Sequence, residues 1–175
     1  MSNYRRARAA GGTFFFTVVT YRRQPVLIEP RVRQALREAV KRTREMRPFE
    51  IRAWILLPDH MHCVWTLPQS DGDYSARWSM IKAMTTRTLG GAGRNSRREG
   101  GLWQRRFWEH QIRDDEDFRR HVDYTYWNPV KHGLAARVAD WPYSTFHRDV
   151  RRGLFAADWG GNGVDAVANH FGEPV

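Results

Sequence analysis

Residues 49–67 read FEIRAWILL, then Pro58-Asp59, then HMHCVWTL. Both flanking runs are rich in β-branched, aromatic and large aliphatic side chains, which suit a pleated and half-buried backbone. Proline followed by aspartate between them marks a sharp change of chain direction. Residues 49–57 and 60–67 are therefore expected to be two successive strands. Residues 13–21 (TFFFTVVTY) have the same character and predict an earlier, buried strand. Between them, Pro30 opens a helix over 31–47 whose apolar face carries Val32, Leu36, Ala39 and Val40, and Pro48 closes it. A second helix is expected over 75–89, with Trp78, Ile81 and Thr85 at helical spacing and Ser75 as its cap. Residues 102–112 predict a fourth strand. The acidic cluster 114–117 then starts a helix that carries Phe118, Val122 and Tyr124 and ends at Asn128, before Pro129.

The order strand, helix, strand, strand, helix, strand, helix is the ferredoxin-like split βαβ pattern. The expected class is α+β: a four-stranded antiparallel sheet with helices on one face, plus a C-terminal tyrosine helix. Residues 1–12 are basic, end in Gly11-Gly12 and read as a mobile arm. Residues 13–147 form the expected domain, and 148–175, with several glycines, read as a C-terminal tail. Residues 90–101 (GGAGRNSRREGG) have no packable side chains and predict a disordered or substrate-ordered loop.

No apolar run approaches the roughly 18 residues of a membrane helix, and residues 14–19 are too short for a signal-peptide core. A cytoplasmic, nucleoid-associated protein is expected. The single Cys63 excludes an internal disulfide and a Cys-rich zinc site. Lys plus Arg number 29 against 19 Asp plus Glu, a net charge of +10, and the chain holds 8 Trp, 6 Tyr and 9 Phe. Arginines that fork onto phosphates and aromatics that stack on unpaired bases are the composition of a nucleic-acid binder.

In a strand, residues i and i+2 point to the same side, so His60 and His62 share a face while Met61 points to the other. Two imidazoles so placed can chelate one divalent ion, or can be two hydrogen-bonded histidines at a sheet end. Asp59 is placed to orient a ligand imidazole. No His-Glu-x-x-His helix accompanies the pair, which disfavours zinc hydrolysis. A hard ion, Mg²⁺ or Mn²⁺, would want oxygen ligands beside the histidines. Farther along, Tyr124 and Asn128 stand at i and i+4 on one helix face, with His121 one turn before. A phenol and a carboxamide together can serve as nucleophile and metal-facing oxygen, or can be a core tyrosine and a C-terminal helix residue. Tyr126 points elsewhere.

Three segments carry a resemblance. Residues 54–62 (WILLPDHMH), 102–110 (LWQRRFWEH) and 128–133 (NPVKHG) resemble, in order and spacing, the tyrosine transposases associated with repetitive extragenic palindromes. These are relatives of the single-strand insertion-sequence transposases with a His-hydrophobic-His motif, and the resemblance runs from about Thr13 to Phe146. It implies a ferredoxin-like fold, a divalent metal, and single-stranded DNA cleavage and joining at imperfect palindromic hairpins through a 5′-phosphotyrosine. Carried over by position, His60 and His62 match the paired metal ligands, Tyr124 the nucleophile, and Asn128 the third, amide-type ligand. Thr125-Tyr126 stands where such proteins often show Ile-His, and Asn128 where the insertion-sequence branch has Gln.

Arg94, Arg97, Arg98, Arg105 and Arg106 are candidates for phosphate contacts, and Arg5, Arg6 and Arg8 of the arm for bases beside a hairpin. Trp103 and Trp108 either stack on bases or pack in the core. The insertion-sequence relatives share active sites between two subunits, whereas the repeat-associated branch acts as a monomer, so monomer and homodimer both stay open. The competing class is a catalytically silent single-stranded nucleic-acid binder on the same fold. The signature of an RNA-recognition motif is absent from this sequence.

Overall fold

The strand-forming segments build one sheet. In the computed structural model, which describes residues 10–91 and 101–161, β1 (Thr13–Val19), β2 (Glu50–Leu56), β3 (His60–Thr66) and β4 (Trp108–Gln111) pair antiparallel in the order β2-β3-β1-β4. The expected α+β class and four-stranded antiparallel sheet are therefore observed. Arg5, Arg6, Arg8, Arg94, Arg97 and Arg98 lie outside the described residues.

Strand alternation divides the core in two. Phe14, Phe16, Val18, Met61, Cys63 and Trp65 face α1 (Pro30–Met46) and α2 (Tyr74–Thr88). Trp65 stacks on Trp78 of α2 at 4.3 Å between ring centroids. Phe15, Ala53 and Val64 face the opposite way, onto α3 (Asp115–Lys131) and α4 (Phe146–Arg151). The first two helices thus share a face as expected, and the tyrosine helix covers the other. Each large side chain buried in these layers contributes about 1.5–3 kcal/mol.

Several local expectations are corrected. The cap of α2 is Asp73, whose carboxylate accepts from the Ala76 N–H at 2.9 Å, not Ser75, which lies inside the helix. The fourth strand is shorter than 102–112. Residues before Trp108 run as a loop across the end of β1, where Trp103 bridges Thr20 and the Gln104 N–H reaches the Val19 carbonyl at 3.0 Å. Trp103 is buried in the core, so packing is its role; Trp108 is half-buried against Phe15.

The start of α3 is as expected. Asp114 accepts from the Asp117 N–H at 2.8 Å and Asp117 accepts from the Arg113 N–H at 3.0 Å, a reciprocal cap at the positive end of the helix. Its end is not. The helix passes through Pro129 and closes at Lys131. Proline removes only its own N–H from the last turn. The His132 N–H still reaches the Asn128 carbonyl, and the Gly133 N–H the Val130 carbonyl, both at 3.0 Å. Gly133 takes the left-handed conformation (φ 66°) that ends helices.

The outer edge of β2 is closed. Tyr143 accepts from the Leu56 N–H, Thr145 bonds both the N–H and the carbonyl of Trp54, and the Trp141 indole donates to the Leu56 carbonyl. The Arg148 guanidinium donates to the carbonyls of Ile51 and Arg52. The expected tail boundary at 148 falls inside α4, and Val150, Phe155 and Trp159 pack against the α3-side core. No helix among the described residues is long and apolar enough to cross a membrane.

Candidate active site

His60 and His62 lie on the α3 side of β3, in register with Val19 and Thr17 of β1. Both are buried, with their rings 5.0 Å apart. The His60 Nδ1 meets the Asp59 carboxylate at 2.6 Å, which fixes the proton on Nδ1 and directs the lone pair of Nε2 away from it. Burial pushes the Asp59 carboxyl up, but the hydrogen bond and charge of His60, and then Arg23 at 2.9 Å, outweigh it and hold the group at about 2. Asp59 is thus an anion that orients one imidazole, and Arg23 holds the anion. The His62 Nδ1 is anchored 2.9 Å from the Thr17 hydroxyl.

Tyr124 comes to this face from α3, its ring 5.3 Å from His62 and 6.1 Å from Phe15. The Lys131 ammonium, two helical turns on, donates to the Tyr124 hydroxyl at 3.0 Å. Asn128 is fully buried one turn after Tyr124, and its amide nitrogen donates to the Tyr124 carbonyl at 3.4 Å. That bond assigns the nitrogen, and the amide oxygen Oδ1 has no hydrogen-bond partner. A buried acceptor without a donor is costly unless a cation or water meets it. An oxygen donor of this kind beside two imidazoles fits a divalent ion. Tyr126 is turned away: its hydroxyl donates to Asp149 at 2.5 Å on the α4 side.

His121 was expected near the helix face of Tyr124 and Asn128. Its ring lies 4.5 Å from His110 and 4.9 Å from Phe15, and its Nδ1 donates to the Asp117 carbonyl at 2.7 Å. His110 Nε2 donates to the Asp117 carboxylate at 2.8 Å. These three side chains form a group that could hold a metal ion, although both imidazole nitrogens facing Asp117 are engaged as donors. The arrangement acts as a clamp between β4 and α3. Burial pushes His121 down to about 4, whereas a histidine in the unfolded chain titrates near 6.5. The unfolded chain therefore takes up a proton that the folded one refuses, and stability, complete above about pH 6.5, is lost progressively as pH falls toward 4. Thermal melts across this window are expected to show the loss, and His121→Gln to flatten it; an unchanged slope would exclude His121 as its source.

Arg105 and Arg106 are exposed on the loop before β4. Sequence reasoning missed Lys131, His132 and Arg23. The first two follow Asn128-Pro129 in the chain and become visible only when α3 is carried past the proline. Arg23 reaches Asp59 across the sheet end, a contact no local pattern encodes.

The histidine pair thus lies on a central strand and the tyrosine on the facing helix. Residues 13–120 match the family model described as "Transposase IS200 like", and the chain belongs to this transposase family. Within it the chain falls with the REP-associated tyrosine transposases. It is 51% identical to the REP-associated tyrosine transposase of Escherichia coli (strain K12) over 168 residues, covering 96% of each. It is 47% identical to a protein of Haemophilus influenzae described as a putative member of the same group, over 93% of this chain and 95% of the other. A solved structure of a REP-associated tyrosine transposase bound to a REP hairpin superposes with a TM-score of 0.87 at 49% identity, covering 100% of this chain and 99% of that one.

Proposed function

We propose that this transposase cleaves and rejoins single-stranded DNA at repetitive palindromic hairpins, with Tyr124 as nucleophile. The observation that carries the reading is the approach of Tyr124, with Lys131 on its hydroxyl and buried Asn128 one turn on along α3, to His62 of the His60–His62 pair on β3. The likeness to a relative bound to a REP hairpin supports the substrate class. Residues 13–147 carry the chemistry, and the expected site of action is the nucleoid.

The Tyr124 hydroxyl oxygen attacks phosphorus. The P–O3′ bond breaks, the phosphate passes to the tyrosine as a 5′-phosphotyrosine, and the departing 3′ oxygen takes a proton to become a hydroxyl. The phenol proton leaves to solvent. Rejoining reverses the step, and because the covalent intermediate retains the bond energy no ATP is consumed. His60, His62 and Asn128 would hold Mg²⁺ or Mn²⁺, which supplies Lewis-acid polarisation of the phosphoryl oxygens. Asp59 keeps His60 in the ligand tautomer. Lys131 already donates to the attacking oxygen, so it stabilises the negative charge that builds there as the proton leaves, and it aims the phenol. Arg105 and Arg106, exposed on the loop before β4, contact phosphates.

Lys131→Met is expected to slow adduct formation about 10²- to 10³-fold, as loss of one aimed donor does elsewhere. Single-turnover assays would show this, while hairpin affinity in chelator changes little. An equal loss of affinity and rate would make Lys131 a binding residue only. The function itself is tested by incubating the protein with a single-stranded hairpin and Mn²⁺ and resolving the products on a denaturing gel. A covalent protein–DNA band that chelator removes is expected; hairpin binding with no band under either metal would favour the silent binder.

A further inference from the structure

An open groove runs beside the outer margin of the sheet, on the face away from the catalytic residues. Its floor is formed by Ile51 and Trp54 of β2, one wall by Arg33 and Arg37 of α1, and the other by the segment 142–145 that seals β2. Trp54 belongs to the α1 and α2 layer, whereas the histidine pair and Tyr124 meet on the α3 side. The groove encloses about 430 Å³, within the roughly 300–1,000 Å³ of clefts that take small ligands.

Floor and walls differ in chemistry. The Trp54 ring packs on Trp65 at 6.2 Å and stays half-buried, so part of it is open to the groove. Across from it, the Arg33 guanidinium lies over the Tyr143 ring, 4.5 Å from its centroid. Arg33, Arg37, Lys41 and Arg44 recur at helical spacing, which puts them on one stripe of α1 next to its apolar stripe. Arg37 and Lys41 are exposed and make no ion pair among the described residues. None of the described residues that line the groove is acidic. Aromatic surface left open to water beside a wall of one charge marks a binding surface for an anion with flat apolar parts.

We infer, on the reading given above that the substrate is single-stranded DNA, that this groove holds unpaired nucleotides flanking the hairpin. Aromatic rings and a flat guanidinium offer stacking surfaces to bases, and the basic stripe offers donors to phosphates. Single strands are held by this combination without reading of their sequence. A duplex stem keeps its base faces inside the stack and has none to offer. An acidic peptide would answer the arginines but bring no flat ring to Trp54 and Tyr143. The groove is thus a second contact for the substrate, on the opposite face of the sheet from Tyr124.

The test uses the full chain in chelator and compares a labelled hairpin with and without a short unpaired flank, by fluorescence anisotropy. In the wild type the flank is expected to raise affinity about tenfold. Tyr143→Leu and Arg37→Gln should each remove most of that gain, while affinity for the unflanked hairpin stays as the sign of an intact fold. Arg37→Gln should also lower the salt slope of binding to the flanked hairpin by about 0.7. Irradiation of a flank carrying 5-iodouracil should cross-link it to Trp54 or Tyr143. A flank that adds no affinity to the wild type, or as much to both variants, would overturn the inference, as would cross-links confined to other residues. None of these results bears on the covalent adduct at Tyr124, so failure of the groove and failure of the cleavage reading are told apart.

Discussion

Tyr124→Phe is expected to abolish the covalent protein–DNA adduct and to lower strand cleavage by about 10⁴-fold or more, because no other group takes over an in-line nucleophile. The substitution removes one oxygen and keeps the ring in contact with His62 and Phe15, so the fold and hairpin affinity should survive. Tyr126→Phe is the control. Burial, with the hydrogen bond and charge of Asp149, pushes the Tyr126 hydroxyl well up, and it faces α4, not the histidines. Adduct formation should persist in Tyr126→Phe. An adduct in Tyr124→Phe that disappears in Tyr126→Phe would reverse the assignment.

The second large effect belongs to the histidines. His62→Ala is expected to remove the dependence of cleavage on Mg²⁺ or Mn²⁺ and to cut the rate by about 10²- to 10⁴-fold, the loss expected when a Lewis acid leaves a phosphoryl-transfer site. His62 is fully buried and packs on Phe15, so the variant also loses about 2–3 kcal/mol of stability through the cavity. Assays belong well below its melting temperature, with hairpin affinity in chelator as the sign of an intact fold. Cleavage at the wild-type rate in a folded His62→Ala protein would dismiss the metal role.

The parts of this site that could be read from sequence are those set by short-range periodicity. His60 and His62 share a face because a strand repeats every two residues, and Tyr124 and Asn128 because a helix nearly repeats every four. Residues 49–67 gave the β2–β3 pair directly, since both runs favour the same backbone. What failed was punctuation. Pro129 reads as a helix end, yet in a last turn it removes little, and the helix runs on to Lys131. That error hid the ammonium on Tyr124 and the imidazole beside His60. Residues 102–107 have strand-forming side chains but wrap β1 as a loop, because Trp103 and Phe107 fill the core from the sheet's end. His121 lies one turn from Tyr124, but stacking on His110 and the reach of Asp117 draw it into the clamp with β4. Asp117 stands one helical turn before His121, but the His110 stack is not local enough to be seen in a helical repeat.

The sealed margin of β2 bears on how molecules of this protein can meet. A sheet grows by strand addition only where a row of N–H and carbonyl groups is open. Along β2 that row is taken by residues 143–145, Trp141 and Arg148 of the same chain. Two copies therefore cannot fuse their sheets through this margin into one continuous sheet. Among the described residues, helix faces, loops and the four-residue β4 margin are the surfaces left for self-association, and the histidines and the tyrosine that faces them are drawn from one polypeptide.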